Sequence, residues 1–212
     1  MEPYIRPTIP TREFRDAEGN VIPYGERWGM DGPPDDNYSV LTHPERFQPL
    51  HDVARALIAH LERTYDVTSS EDPTLLSRVP GGFTPIAAVR LTPASPKAAP
   101  LTVFFTDLPG IALLAGALYA APFPSCGCDA CDDSLEAVAD YLEWVVLTVV
   151  EGGFSENVTR GPRTRVSHRL ERSDGYRGGE GLAGADITRR QLADARNRLV
   201  EIDGNWAAWS LR

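Results

Sequence analysis

Lysine is almost missing from this 212-residue chain: Lys97 is the only one, and no basic run forms. The formal net charge is −9. A surface of that sign excludes general affinity for nucleic acid or anionic lipid, both of which need a positive footprint. Because the basic side chains are nearly all arginine and alanine is abundant, the composition points to a GC-rich genome rather than to an anion-binding surface. Long apolar runs are lacking as well. The most apolar stretch, residues 108–121, is too short to span a bilayer and contains Pro109 and Gly110. Met1-Glu2-Pro3-Tyr4 opens without the basic and apolar segments of a signal peptide. Cysteine is scarce, at three residues, an odd number that excludes complete pairing within the chain. The expectation is a soluble, reduced, cytoplasmic protein with no membrane segment.

What is present is an apolar fraction of 42%, enough for a core that needs no covalent staple. Residues 1–41 are broken by proline and glycine but carry Tyr4, Phe14, Tyr24, Trp28 and Tyr38. That content predicts an extended arm laid on the body, since disordered tails are poor in aromatics. A first helix is expected from Thr42 and Glu45 at capping-box spacing, bent or restarted at Pro49, with Leu50, Ala54, Leu57, Leu61 and Tyr65 as its stripe. "PIAAVRLTP", "LTVFFTDLPG" and "IALLAGALYAAP" read as strands of an antiparallel meander. "DDSLEAVADYLEWVVLTVVEGG" reads as the main packing helix, capped by Asp133 and Glu136 and ended by Gly152-Gly153. Alternation in "RTRVSHRLER" gives a further strand with a wet arginine face, and "YRGGEGLAGAD" reads as a glycine-rich loop. A last helix starts at Thr188, boxed by Gln191, and "NWAAWSLR" closes the chain as an edge strand. The sum is one α+β domain over residues 1–212: an antiparallel sheet packed against two or three helices, with an irregular N-terminal arm.

All three cysteines fall within "SCGCDACDD", as Cys126, Cys128 and Cys131. The spacing C-x-C-x-x-C, with a glycine between the first two, lets the backbone curl around an ion. Zinc bound by three thiolates is the leading reading. His168, alternating inward with Val166 and Leu170, is the leading fourth ligand, and its competing reading is a core histidine satisfied by a hydrogen bond. His43, His51, His60, Asp129 and Asp132 are the other candidates. A redox pair of Cys128 and Cys131, an iron–sulfur cluster and unliganded thiols are the alternatives to zinc. Elsewhere, Arg160, Arg163, Arg165, Arg169 and Arg172 make the densest basic patch, and Trp28 and Tyr24 are residue types that anchor partners.

Two stretches, "PYGERWGMDGPPDDNYSVLTHPERFQPLH" and "PSCGCDACDD", together resemble an uncharacterised actinobacterial family, a domain of unknown function. The resemblance covers most of the chain and implies no catalytic residue. The function expected from the residues is a non-catalytic binding or accessory protein with a structural cysteine-ligated zinc and an unspecified protein or small-molecule partner. An enzyme using the cluster as an open zinc site or redox thiol pair is the alternative. A third reading is an interaction module built on Trp28, Tyr24 and the arginine strand.

Overall fold

In the computed structural model the described residues are 3–10, 12–159, 163–184 and 187–212. The first helix, α1 (Leu50–Thr64), buries Leu50, Val53, Ala54, Leu57, Ile58 and Leu61, a three-and-four spacing that places them on one side. Pro49 is its N-cap and separates it from a short 3-10 turn at Pro44–Phe47. The expected Thr42–Glu45 capping box does not form. His43 caps the short turn in the left-handed region, without a side-chain bond, and Thr42 is used elsewhere.

Five antiparallel strands follow in sequence order: β1 (Val67–Ser70), β2 (Pro85–Pro93), β3 (Leu101–Thr106), β4 (Gly110–Ala115) and β5 (Tyr119–Phe123). The stretch expected as a third strand is two, folded at Gly116, and β1 adds a strand to the expected meander. β3 is buried along its whole length because both faces of the sheet are covered. One face carries the main core with α1 and α2 (Leu135–Val150); on the other, Leu75 of the 3-10 turn Pro73–Arg78 packs with Ala88, Phe104 and Ala112. α2 is capped by Ser134, whose hydroxyl accepts from the Ala137 amide at 3.2 Å, so the cap lies one residue beyond the expected Asp133.

A second antiparallel sheet contains β6 (Phe154–Val158), β7 (Arg165–Arg172) and β8 (Gly175–Leu182), and α3 (Arg189–Glu201) follows with the expected Thr188–Gln191 capping box. The glycine-rich stretch is therefore largely strand. Gly179 stands opposite His168, and a Cβ there would meet the imidazole Cε1 at 2.9 Å. Glycine lets the ring lie on the neighbouring strand. The C-terminal segment makes isolated bridges instead of an edge strand, and both of its tryptophans are buried. The Trp209 indole donates to Ala99 O at 2.9 Å.

Between the sheets lies Glu156, 5% exposed. Its Oε1 accepts from the amides of Leu118 and Tyr119 at 2.8 and 2.9 Å, and its Oε2 from the Ala117 amide and Trp206 Nε1 at 2.7 and 2.8 Å. Burial pushes this carboxyl up from its ordinary range, while the four donors pull it down. Gly116 begins the turn that supplies the amides. Its φ is +60°, and a Cβ there would overlap Glu156 Oε2. Among the described residues no helix is long and apolar enough to cross a membrane.

Candidate metal centre

β5 leads through Pro124 into the cysteine loop, which closes at the N-terminus of α2. Gly127, at φ +81°, turns the backbone between Cys126 and Cys128, where a Cβ would meet Pro124 Cγ at 3.1 Å. The Cys131 amide donates to Cys128 O at 3.1 Å and closes the second half of the loop.

The N-terminal arm fixes this loop from outside. The Asp129 amide donates to Val40 O at 2.8 Å, and the Ala130 amide to Asn37 O at 3.1 Å. Asp129, 3% exposed, accepts from the Thr42 amide at 3.1 Å and the Thr42 hydroxyl at 2.6 Å, with Arg27 Nη1 at 3.8 Å. Trp28 Nε1 donates to Asp129 O at 3.1 Å, the Arg27 amide to Asp132 Oδ2 at 2.8 Å, and Arg46 Nη2 to Gly127 O at 2.9 Å. Further along, the Tyr4 hydroxyl and Arg6 hold the arm to Glu143 of α2, and Arg6 also reaches Asp140.

The Sγ atoms of Cys126, Cys128 and Cys131 all lie within 4.8 Å of one another. Thiolates around a tetrahedral zinc at about 2.3 Å stand about 3.8 Å apart, so closing onto an ion needs only small side-chain rotations. Cys128 is buried, and Cys126 and Cys131 are exposed. The Cys126 thiol, then backbone amides of Cys131 and Ser39, hold the Cys128 thiol down to about 7 against its burial. Cys131 donates to Cys128 across 3.4 Å and is pushed up to about 12, with burial adding to the effect. A cation bound here would displace the thiol protons and hold the three sulfurs as thiolates.

His168 is not among the grouped ligands. It lies on the second sheet, its ring edge-on to Tyr119 at 4.8 Å, and burial pulls its pKa below the usual histidine range. There it lines a cleft of about 540 Å³ between β6, β7 and α3. The other histidines are engaged elsewhere: His43 with Glu45 and Arg15 O, His51 with Gln48 and Gly110 O, and His60 against Tyr4. The three thiols form the only such group among the described residues.

The remaining candidates change roles. Trp28 and Tyr24 are half-buried within the arm, where Arg27 stacks over Trp28 at 4.5 Å and Arg46 over Tyr24 at 4.1 Å. Arg165, Arg169 and Arg172 pair with Glu180, Glu171 and Glu151, so much of that face is neutralised; Arg160 lies outside the described residues. The sequence offers Asp129 only as a candidate ligand, and its role as the post to which the arm is tied is not legible there. The clue to the arm's docking was the interleaving of arginine and aromatic residues in an otherwise irregular arm.

One family model matches residues 10–212, which takes in most of the arm, the cysteine loop and both sheets. The chain belongs to DUF6226, a family of unknown function. Membership in DUF6226 therefore covers the candidate centre and the segments that position it, and assigns it no activity. No curated protein and no solved structure matches the chain.

Proposed function

We propose that this protein binds one thiophilic metal ion, zinc, through Cys126, Cys128 and Cys131, and presents it at the surface with a fourth coordination position facing outward. The observation that carries this reading is the clustering of three thiols within 4.8 Å in a loop already braced by the arm. A purely structural zinc replaces missing internal bonds with four protein ligands. Here the loop has its internal bonds and offers three ligands, two of them exposed. The role that fits is a reduced, cytoplasmic binding or accessory protein, a single unit over residues 1–212, whose ion meets a small ligand or a partner's side chain.

The test is titration with cobalt(II) under reducing conditions. Three thiolates predict strong sulfur-to-cobalt absorption saturating at one ion per chain, and an open position predicts that added imidazole shifts the visible bands. Weak absorption without saturation would remove the site. A saturated spectrum indifferent to imidazole would mean that a fourth protein ligand closes it.

A second reading is favoured by the 3.4 Å separation of Cys128 and Cys131. These two thiols are placed for oxidation to a disulfide by an external disulfide, Cys128 attacking as thiolate and Cys131 resolving the mixed intermediate. Equilibration with a glutathione redox buffer distinguishes this reading, which requires a reversible two-electron couple in metal-free protein.

A further inference from the structure

Three of the four sheet edges are closed or poor templates. β6 is covered by residues 203–205, where the Glu156 amide donates to Gly204 O at 2.9 Å and Ser155 bridges Asn205. β1 has four residues, and β5 carries Pro122, which has no N–H to give. β8 is different. Its eight residues, Gly175–Leu182, hold unbroken register with β7 and include no proline or lysine. Gly178 and Gly179 are exposed, and in a glycine that exposure is main chain. Among the described residues no strand or bridge meets the outer side of β8. A long open edge of this kind is a template for another strand.

The Ala183 amide donates to Thr164 O at 3.0 Å, so Ala183 and the odd-numbered residues of β8 turn their main-chain groups to β7. The direction alternates along an antiparallel strand, which leaves Tyr176, Gly178, Glu180 and Leu182 with N–H and C=O facing out. The side chains of these residues share one face of the sheet. On it Tyr176 and Leu182 are large apolar groups, 62% and 56% exposed. Arg169 lies over the Tyr176 ring at 4.8 Å, and Arg165 pairs with Glu180.

We propose that β8 is the docking edge for a second copy of this chain, the two sheets joining edge to edge about a two-fold axis. An axis normal to the sheet keeps every side chain on its own face. With the axis at Gly179, Tyr176 of one copy stands opposite Leu182 of the other, and Gly178 opposite Glu180. These are the residues with outward main-chain groups, so each pair exchanges both of its N–H···O bonds. Each copy's exposed ring is covered by the other's leucine, a cross-strand pair repeated by symmetry. Each Glu180 faces a glycine, between Arg165 of its own β7 and Arg169 of the second copy, which offsets its diagonal approach to the other Glu180. Moving the axis to Gly178 sets Tyr176 against Glu180, and Leu182 against Asp174, which lies beyond the strand. The edge is complementary to itself in one register, and that makes a second copy, not an unrelated strand, its occupant. The dimer uses no cysteine and stands apart from the metal reading.

The test is sedimentation equilibrium of the full chain under reducing conditions, paired with amide hydrogen exchange at low and high protein concentration. The expected result is a monomer–dimer equilibrium, with the Tyr176, Gly178, Glu180 and Leu182 amides gaining protection as the dimer fills. Tyr176→Ser and Leu182→Ser, both at exposed positions, each weaken dimerisation about tenfold, since the pair occurs twice. Ile86→Ser, at a comparably exposed apolar residue of β2, leaves it unchanged. A chain that stays monomeric at the highest concentration, or a dimer whose outward β8 amides exchange freely, overturns the proposal. So does an equal loss from all three substitutions, which would mean non-specific apolar association.

Discussion

Glu156 and Asp129 are both buried carboxylates that tie distant parts of the chain together, yet their partners differ in kind. Glu156 receives four neutral N–H donors, three from one turn and one from Trp206, and is sealed between two sheets. Asp129 receives the amide and hydroxyl of Thr42, has the Arg27 guanidinium beside it, and belongs to a loop in which Cys126 and Cys131 are exposed and Cys128 is buried. A carboxylate satisfied inside by neutral donors closes a structure. One held by an outer arm can brace a loop while two of its three thiols stay exposed. The first region serves the fold, and the second braces the candidate centre.

The largest effect expected from this contrast is at the sealed carboxylate. Glu156→Leu leaves four buried donors without an acceptor and should cost about 3–5 kcal/mol in denaturant unfolding. Molecules that remain folded should keep full metal stoichiometry. Asp129→Asn should be milder, about 1–3 kcal/mol, but should weaken metal binding about 10–100-fold, because the braced loop orients the ligands. Equal loss of stability with untouched metal affinity would break the comparison. Cys126→Ser should separate the two quantities when stability is measured on metal-free protein: the side chain is exposed, so stability should stay within about 0.5 kcal/mol of the metal-free parent, while chelator competition reports a large loss of affinity.

The smallest expected effect sharpens the contrast through pH. His51 is buried, with Nε2 bonded to Gly110 O at 3.0 Å and Nδ1 facing the Gln48 amide nitrogen at 3.2 Å. The carbonyl requires N–H at Nε2, so Nδ1 accepts, and burial pulls the pKa of His51 below its ordinary value. An unfolded histidine titrates near 6.5, so the unfolded chain binds the extra proton first as pH falls. The stability tied to a neutral His51 is complete above about pH 6.5 and declines as pH drops below it. Unfolding free energies measured between pH 7.5 and 5.5 should fall, with a shallower slope in His51→Gln.

Much of the fold was legible where one pattern controlled an element. The stripe of α2 from Val138 to Val149 and the Thr188–Gln191 box were written in local spacing, and β2 and β3 in bounded apolar runs. β8 was not legible, because Gly178 and Gly179 argue locally against a strand and are explained only by the His168 ring and backbone beside them. The Thr42–Glu45 box failed for a related reason: the hydroxyl that would cap locally bonds to Asp129, 87 residues away. At the candidate centre the three thiols were legible because they are adjacent in sequence. The fourth-ligand expectation at His168 rested on strand alternation, which says how a residue faces its own sheet and nothing about which loop lies nearby. The dependence of the loop on Arg27, Trp28 and Arg46 is tertiary and left no periodic trace.

The most direct measurement is elemental analysis of untagged, reduced protein purified without added metal, paired with a count of reactive thiols before and after chelation. The account predicts one zinc per chain, with all three thiols protected until the ion is removed. Metal-free protein with three freely reactive thiols, unchanged when zinc is supplied, would contradict it.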